Sequence, residues 1–129
     1  MPDVSTSWAE GRFADRWLFV HLMSGVAGGL FNAFLAWPRW QIVVVGAALM
    51  ILWELVEIAC RIRESPANRV IDVVVGVVGV SAGLWVQGAV TVGAGRALWV
   101  GALGLTLLGT ALGVRHRAMR RRRAERASE

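Results

Sequence analysis

Four apolar stretches, at residues 17–36, 41–60, 70–92 and 97–114, leave this chain few folds to choose from. Each holds 18 to 23 residues. As helices they are roughly 27–35 Å long, against a hydrocarbon core of about 30 Å. Within lipid every backbone polar group has to be satisfied inside the protein, so only helices and closed barrels cross, and these stretches lack the alternation of strands. The expected fold is an all-α membrane protein: a four-transmembrane-helix bundle over residues 17–114. A short N-terminal interfacial segment, 1–16, precedes it and an Arg-rich tail, 115–129, follows. With 56% hydrophobic residues and a mean hydropathy of +0.54, the chain lies outside the range of soluble domains.

The punctuation between the stretches is aromatic, basic or glycine-rich: Trp37 to Trp40, Arg61 to Pro66, and Gly93 to Arg96. All 14 basic residues are arginines, as in a GC-rich bacterial genome, and seven of them lie in the last 15 residues. A sequence pI near 11.4 could indicate nucleic acid. The arginines directly follow an apolar stretch, however, so the tail is read as an anchor for anionic lipid headgroups, with no nucleic-acid partner. If both termini are cytoplasmic, twelve arginines fall inside and only Arg39 and Arg96 outside. The positive-inside rule therefore favours N-in, C-in, in agreement with an even number of spans, which puts both termini on one side. Trp17, Trp37, Trp40 and Trp99 fall at the expected interfaces, while Trp53 and Trp85 lie deeper and are read as packing residues.

Residues 1–16 mix acids with arginines and no Ala-x-Ala site follows, so this segment is read as retained. Ser7 and Glu10 have the spacing of a capping box, which predicts a short interfacial helix over 7–16. The lone cysteine, Cys60, excludes an internal disulfide and a cysteine metal cage.

Against this background the polar residues inside the stretches stand out. Glu54 and Glu57 interrupt the second stretch, and intramembrane carboxylates mark functional sites by default. At the helical rise, Glu57 is roughly 6 Å and Glu54 about 10 Å inside the boundary marked by Arg61, Asp72 is roughly 5 Å beyond Arg69, and His21 is roughly 7 Å beyond Arg16. Three spans thus bring His21, Glu54 with Glu57, and Asp72 into one half of the membrane. Faces agree with depths. Asn68, Asp72, Gly76, Gly79, Gly83 and Gln87 form one helical stripe, and His21, Gly25, Gly28 and Asn32 another. The pairs Gly25/Gly29, Gly79/Gly83 and Gly109/Gly113 fit the small-xxx-small pattern of close helix packing. The expectation is that the first and third spans pack beside the second and close around its glutamates, with the fourth as support.

Neighbouring carboxylates in low dielectric can share a proton, and Arg61 could instead hold Glu57 ionised. No cofactor is expected from the sequence, although histidine with two or three carboxylates also suits a divalent cation, or acid–base chemistry. Plainer roles compete. Asp72 could pair with Arg69 or answer the helix dipole. Asn68, after Ser65 and Pro66, reads as the N-cap of the third helix. Glu57–Arg61 could be a structural ion pair, Gln87 an interhelical hydrogen bond, and Cys60 inert packing. Glu54, the deepest, is the strongest candidate for function.

Glu54-Leu55-Val56-Glu57, then a short basic loop, then Arg69, Asp72, Gly76, Gly79 and Gly83 resemble the VanZ-like family of small bacterial membrane proteins over roughly residues 50–84. His21 after Asp15 and Arg16 is similar to that family's acidic-basic-His opening. Gly76 stands where the family usually has Asn, and Glu57 where Gln is common, as in a divergent member. The resemblance implies a multi-pass inner-membrane protein, associated in name with glycopeptide resistance, and supplies no reaction. Three functions remain open. The acidic–histidine site binds a cation, a proton or a polar lipid headgroup. Or the chain is a membrane enzyme on a lipid-linked substrate, although no nucleophile or phosphate-loop motif is present. Or it is a non-catalytic subunit or assembly factor packing through its glycine faces. A homodimer or larger membrane complex is the expected assembly.

Overall fold

The computed structural model describes residues 16–60 and 65–127, and among these it is helical throughout, without strands. The helices are α1 (Arg16–Leu30), α2 (Asn32–Leu35), α3 (Arg39–Ala59), α4 (Pro66–Ala89) and α5 (Val92–Ala127). Four segments are long and apolar enough to cross a membrane: Trp17–Leu35, Arg39–Ala59, Pro66–Ala89 and Val92–Arg120. Side chains such as Val44, Leu52, Val78 and Leu107 face outward, each more than half exposed. Water would oppose so much exposed apolar surface and hydrocarbon accepts it, as expected of a multi-pass membrane protein. The interfacial helix expected over 7–16 falls, but for Arg16, outside the described residues, as does Arg61.

The helix starts depart from expectation because local capping overrides the punctuation. The third span begins at Pro66, not at residue 70. Ser65 is the N-cap, its hydroxyl oxygen accepting the Asn68 N–H at 3.2 Å, with proline in the first turn. Proline suits that position because its missing N–H has no intrahelical partner there. Asn68 is therefore not the cap, and its side chain is left for other use. The fourth span begins at Val92, not residue 97: the Thr91 hydroxyl accepts the Ala94 N–H at 3.3 Å and draws Gly93 and Gly95 into the first turn. The helix of the fourth span runs on past Arg115 to Ala127, on a run of good helix formers.

The centre of the molecule is the contact of α1 with α4, where glycine meets backbone. A Cβ at Gly25 would overlap the Gly76 carbonyl oxygen, and one at Gly29 the Val80 carbonyl oxygen. From the other side, Gly79 lies on the Leu22 carbonyl and Gly83 on that of Val26. α3 leans on α4: the Val80 side chain sits over Gly46, and the Met50 sulfur over Gly76. α5 lies against α1 differently, Gly109 receiving Val20 and Gly113 the Trp17 ring, so this glycine pair admits side chains rather than backbone. Since α3 packs on α4 and α5 on α1, the two outer helices do not close on each other.

At the end remote from His21, Asn32 brackets the turn into α3. Its carbonyl oxygen accepts the Trp37 N–H at 2.9 Å and its amide donates to the Trp37 carbonyl at 3.2 Å. Between them Ala36 takes a left-handed conformation, φ 52°. Trp53 and Trp85, expected to pack inside, are 51% and 74% exposed. Depth in the membrane does not fix the face of the helix: Trp85 points outward, while Trp53 borders the space between α3 and α5.

Candidate functional site

The start of α1, the end of α3 and the start of α4 lie at one end of the bundle, because the connections alternate direction. There His21, Glu54 and Asp72 converge, all buried, with one ligating atom from each within 4.8 Å of the others. On α3, Ile42, Gly46, Met50 and Glu54 recur every four residues, so Glu54 continues the stripe that faces α4. On α4, Asp72 is one turn before Gly76, at the glycine seam with α1. On α1, His21 is one turn before Gly25 in the same seam. Glycine packing therefore brings the helices close enough for their polar side chains to meet.

The orientation of the imidazole follows from its contacts. Nδ1 of His21 lies 2.8 Å from the Trp17 carbonyl oxygen of the preceding turn. A carbonyl only accepts, so Nδ1 carries the proton. Nε2 then stands 3.6 Å from Oε1 of Glu54, and Oδ1 of Asp72 is 3.8 Å from Nδ1. Asp72 is held from its own helix, where Asn68 donates an amide N–H to Oδ2 at 3.0 Å. Oε2 of Glu54 has the Arg69 Nε at 4.0 Å, a long charge contact from α4 to α3.

Of the four sequence candidates, three form this triad and Glu57 stands apart. Glu57 is buried, but it accepts the indole N–H of Trp53, one turn earlier on α3, at 2.7 Å. The suggested Glu57–Arg61 pair lies outside the described residues. Of the supporting residues, Arg69 reaches Glu54 and Asn68 secures Asp72, while Gly25, Gly29, Gly76, Gly79 and Gly83 hold the helices together. Gln87 makes no side-chain hydrogen bond among the described residues. Sequence reasoning missed the Trp17 carbonyl that fixes His21 and the Trp53 indole that takes Glu57. Each lies four residues before its partner, a spacing that signals contact on a helix.

Three groups can ligate here: one imidazole nitrogen and two carboxylates. An ion about 2.0–2.2 Å from each ligand in tetrahedral arrangement leaves ligands roughly 3.4 Å apart. The 3.6 Å between Nε2 and Oε1 is already near that value. The hydrogen bond from Nδ1 to the Trp17 carbonyl is the kind of outer contact that orients metal-binding histidines. No family model, curated protein or solved structure matches the chain.

Proposed function

We propose that this chain is a membrane-embedded cation-binding protein whose site is His21, Glu54 and Asp72. The observation that carries the reading is the convergence of three buried ligating side chains from three different helices within 4.8 Å. Nitrogen and carboxylate donors together suit a divalent first-row transition metal better than calcium or magnesium, which favour oxygen alone. A proton is the second reading, favoured by the facing Nε2 and Oε1 at 3.6 Å. In either case Asn68 and Arg69 position the carboxylates. The wider setting is part of the same proposal: a divergent VanZ-like protein of a bacterial inner membrane, N-in and C-in, with the triad in the cytoplasmic half. A reporter fused after Gly95 is expected to read periplasmic.

The functional test is metal analysis of the purified protein, with thermal unfolding under added manganese, nickel or zinc. Retained metal, or stabilisation by one of these ions that His21→Ala removes, is the expected result. Absence of both excludes the metal reading and leaves the proton.

A further inference from the structure

The space between α3 and α5 is a cleft of about 460 Å³, within the size range of small-molecule sites. Its floor is α1, with Val20, His21 and Ser24; Leu52 and Val56 stand on the α3 wall, and Thr106 on the α5 wall. All of these belong to membrane spans. A gap between two spans at this depth opens sideways onto hydrocarbon, so its natural visitor is a lipid.

The walls are suited to a hydrocarbon chain. The α5 threonines turn their hydroxyls back onto their own helix, Thr106 to the Ala102 carbonyl at 3.0 Å and Thr110 to the Thr106 carbonyl at 2.9 Å. They therefore offer little hydrogen bonding to a guest. The floor behaves differently. Ser81 on the outer face of α4 bonds back to the Val77 carbonyl at 3.0 Å. The Ser24 hydroxyl makes no hydrogen bond among the described residues, although it lines the cleft one turn from His21. His21 itself belongs both to the cleft and to the triad. An apolar channel with a hydroxyl on its floor, bordered by one member of the triad, matches an amphiphile: one hydrocarbon chain and one oxygen-bearing head.

We infer that the cleft between α3 and α5 admits the chain of an anionic membrane lipid, its head resting at Ser24 and His21. A cation held by the triad would attract the anionic head. That half of the inference rests on the cation reading, whereas the chain site does not.

Photolabelling of the protein in phosphatidylcholine nanodiscs containing a diazirine-bearing palmitate separates the two. Label is expected on Leu52, Val56 and Thr106, enriched roughly tenfold over the lipid-facing Val74, Val78 and Trp85. Thr106→Trp, which fills the cleft, is expected to abolish the enrichment. Enrichment that persists in EDTA supports the chain site while counting against the cation as what holds the head. Metal binding with label spread evenly over all outward faces overturns the lipid site and leaves the cation reading intact. Enrichment unchanged by Thr106→Trp also overturns it, as does efficient crosslinking of Thr106→Cys to a second copy, which would make the cleft an interface.

Discussion

Nε2 of His21 faces Oε1 of Glu54 at 3.6 Å, across the gap between the first and second membrane spans. The ring is held from behind, Nδ1 bonding to the Trp17 carbonyl at 2.8 Å. Backbone geometry, not a second mobile side chain, therefore aims the imidazole. A residue aimed in this way adds little to fold stability that a well-packed apolar side chain would not also supply. Its placement is better explained by something it binds.

If His21 and Glu54 hold one ion, their substitutions will not act independently. His21→Ala and Glu54→Gln are each expected to weaken metal binding at least roughly 10–100-fold, the range lost on removing even outer partners of a metal ligand. The double variant is expected to fall short of the sum, with a coupling of about 0.5–3 kcal/mol. Calorimetric titration of the four proteins measures it; strict additivity would argue against a shared ligand.

The two glutamates of α3 are expected to differ. Glu54→Gln removes a ligand of the triad. Glu57→Gln keeps an oxygen to accept the Trp53 indole N–H, now at 2.7 Å, and leaves the three clustered side chains His21, Glu54 and Asp72 in place. Metal affinity should therefore change little in Glu57→Gln, with a stability loss of roughly 1 kcal/mol for the weaker, uncharged hydrogen bond. Equal losses of affinity in both variants would place Glu57 in the site.

Much of this arrangement is readable from the sequence because membrane depth is a count of residues. Counting from Arg16, Arg61 and Arg69 puts His21, both glutamates and Asp72 in one half of the membrane, and the stripe through Gly76, Gly79 and Gly83 tells which face of α4 turns inward. What counting does not give is the rotation of α3. A spacing of three places Glu54 and Glu57 on one side of the helix without deciding which points at α1. The packing of Val80 on Gly46 and of Met50 on Gly76 decides it, and these contacts depend on the partner helix. The same limit explains Trp53 and Trp85, whose depth says nothing of their direction. Proline and glycine mislead at Pro66 and Gly93, where the adjacent hydroxyls of Ser65 and Thr91 convert apparent breaks into helix starts.

Some glycines hold α1 to α4 against backbone, some receive neighbouring side chains, and some face open space. A side chain at Gly25 or Gly79 meets backbone of the opposite helix, which cannot step aside as a flexible side chain does. Gly25→Ala and Gly79→Ala are expected to cost at least about 1–3 kcal/mol, the ordinary range for overpacking. They should weaken metal binding as well, because the same seam sets the distance from His21 to Asp72. Gly101→Ala and Gly104→Ala, with nothing within 4 Å, are expected to be neutral or to stabilise slightly. Unfolding of the four variants in mixed micelles gives the ranking; equal losses in both groups would contradict the seam.

The length of α5 sets the behaviour of the basic tail. Its 36 residues make a rod of about 54 Å, of which the hydrocarbon core takes about 30 Å. Roughly 20 Å or more is left to extend beyond the core, carrying arginines on one rigid support. Arg115, Arg122, Arg123 and Arg126 on that stretch are exposed. A rod keeps its charges at fixed heights, whereas a frayed tail could lay all of them on the headgroups. Ala118, exposed and mid-rod, tests the difference. A proline there removes a helical hydrogen bond and clashes with the preceding turn, at about 3 kcal/mol. Ala118→Pro is expected to increase hydrogen exchange of the amides from Met119 onward while leaving the spans and the triad unaffected. Exchange that is already fast there in the unsubstituted protein would mean the rod does not persist in the membrane-bound protein.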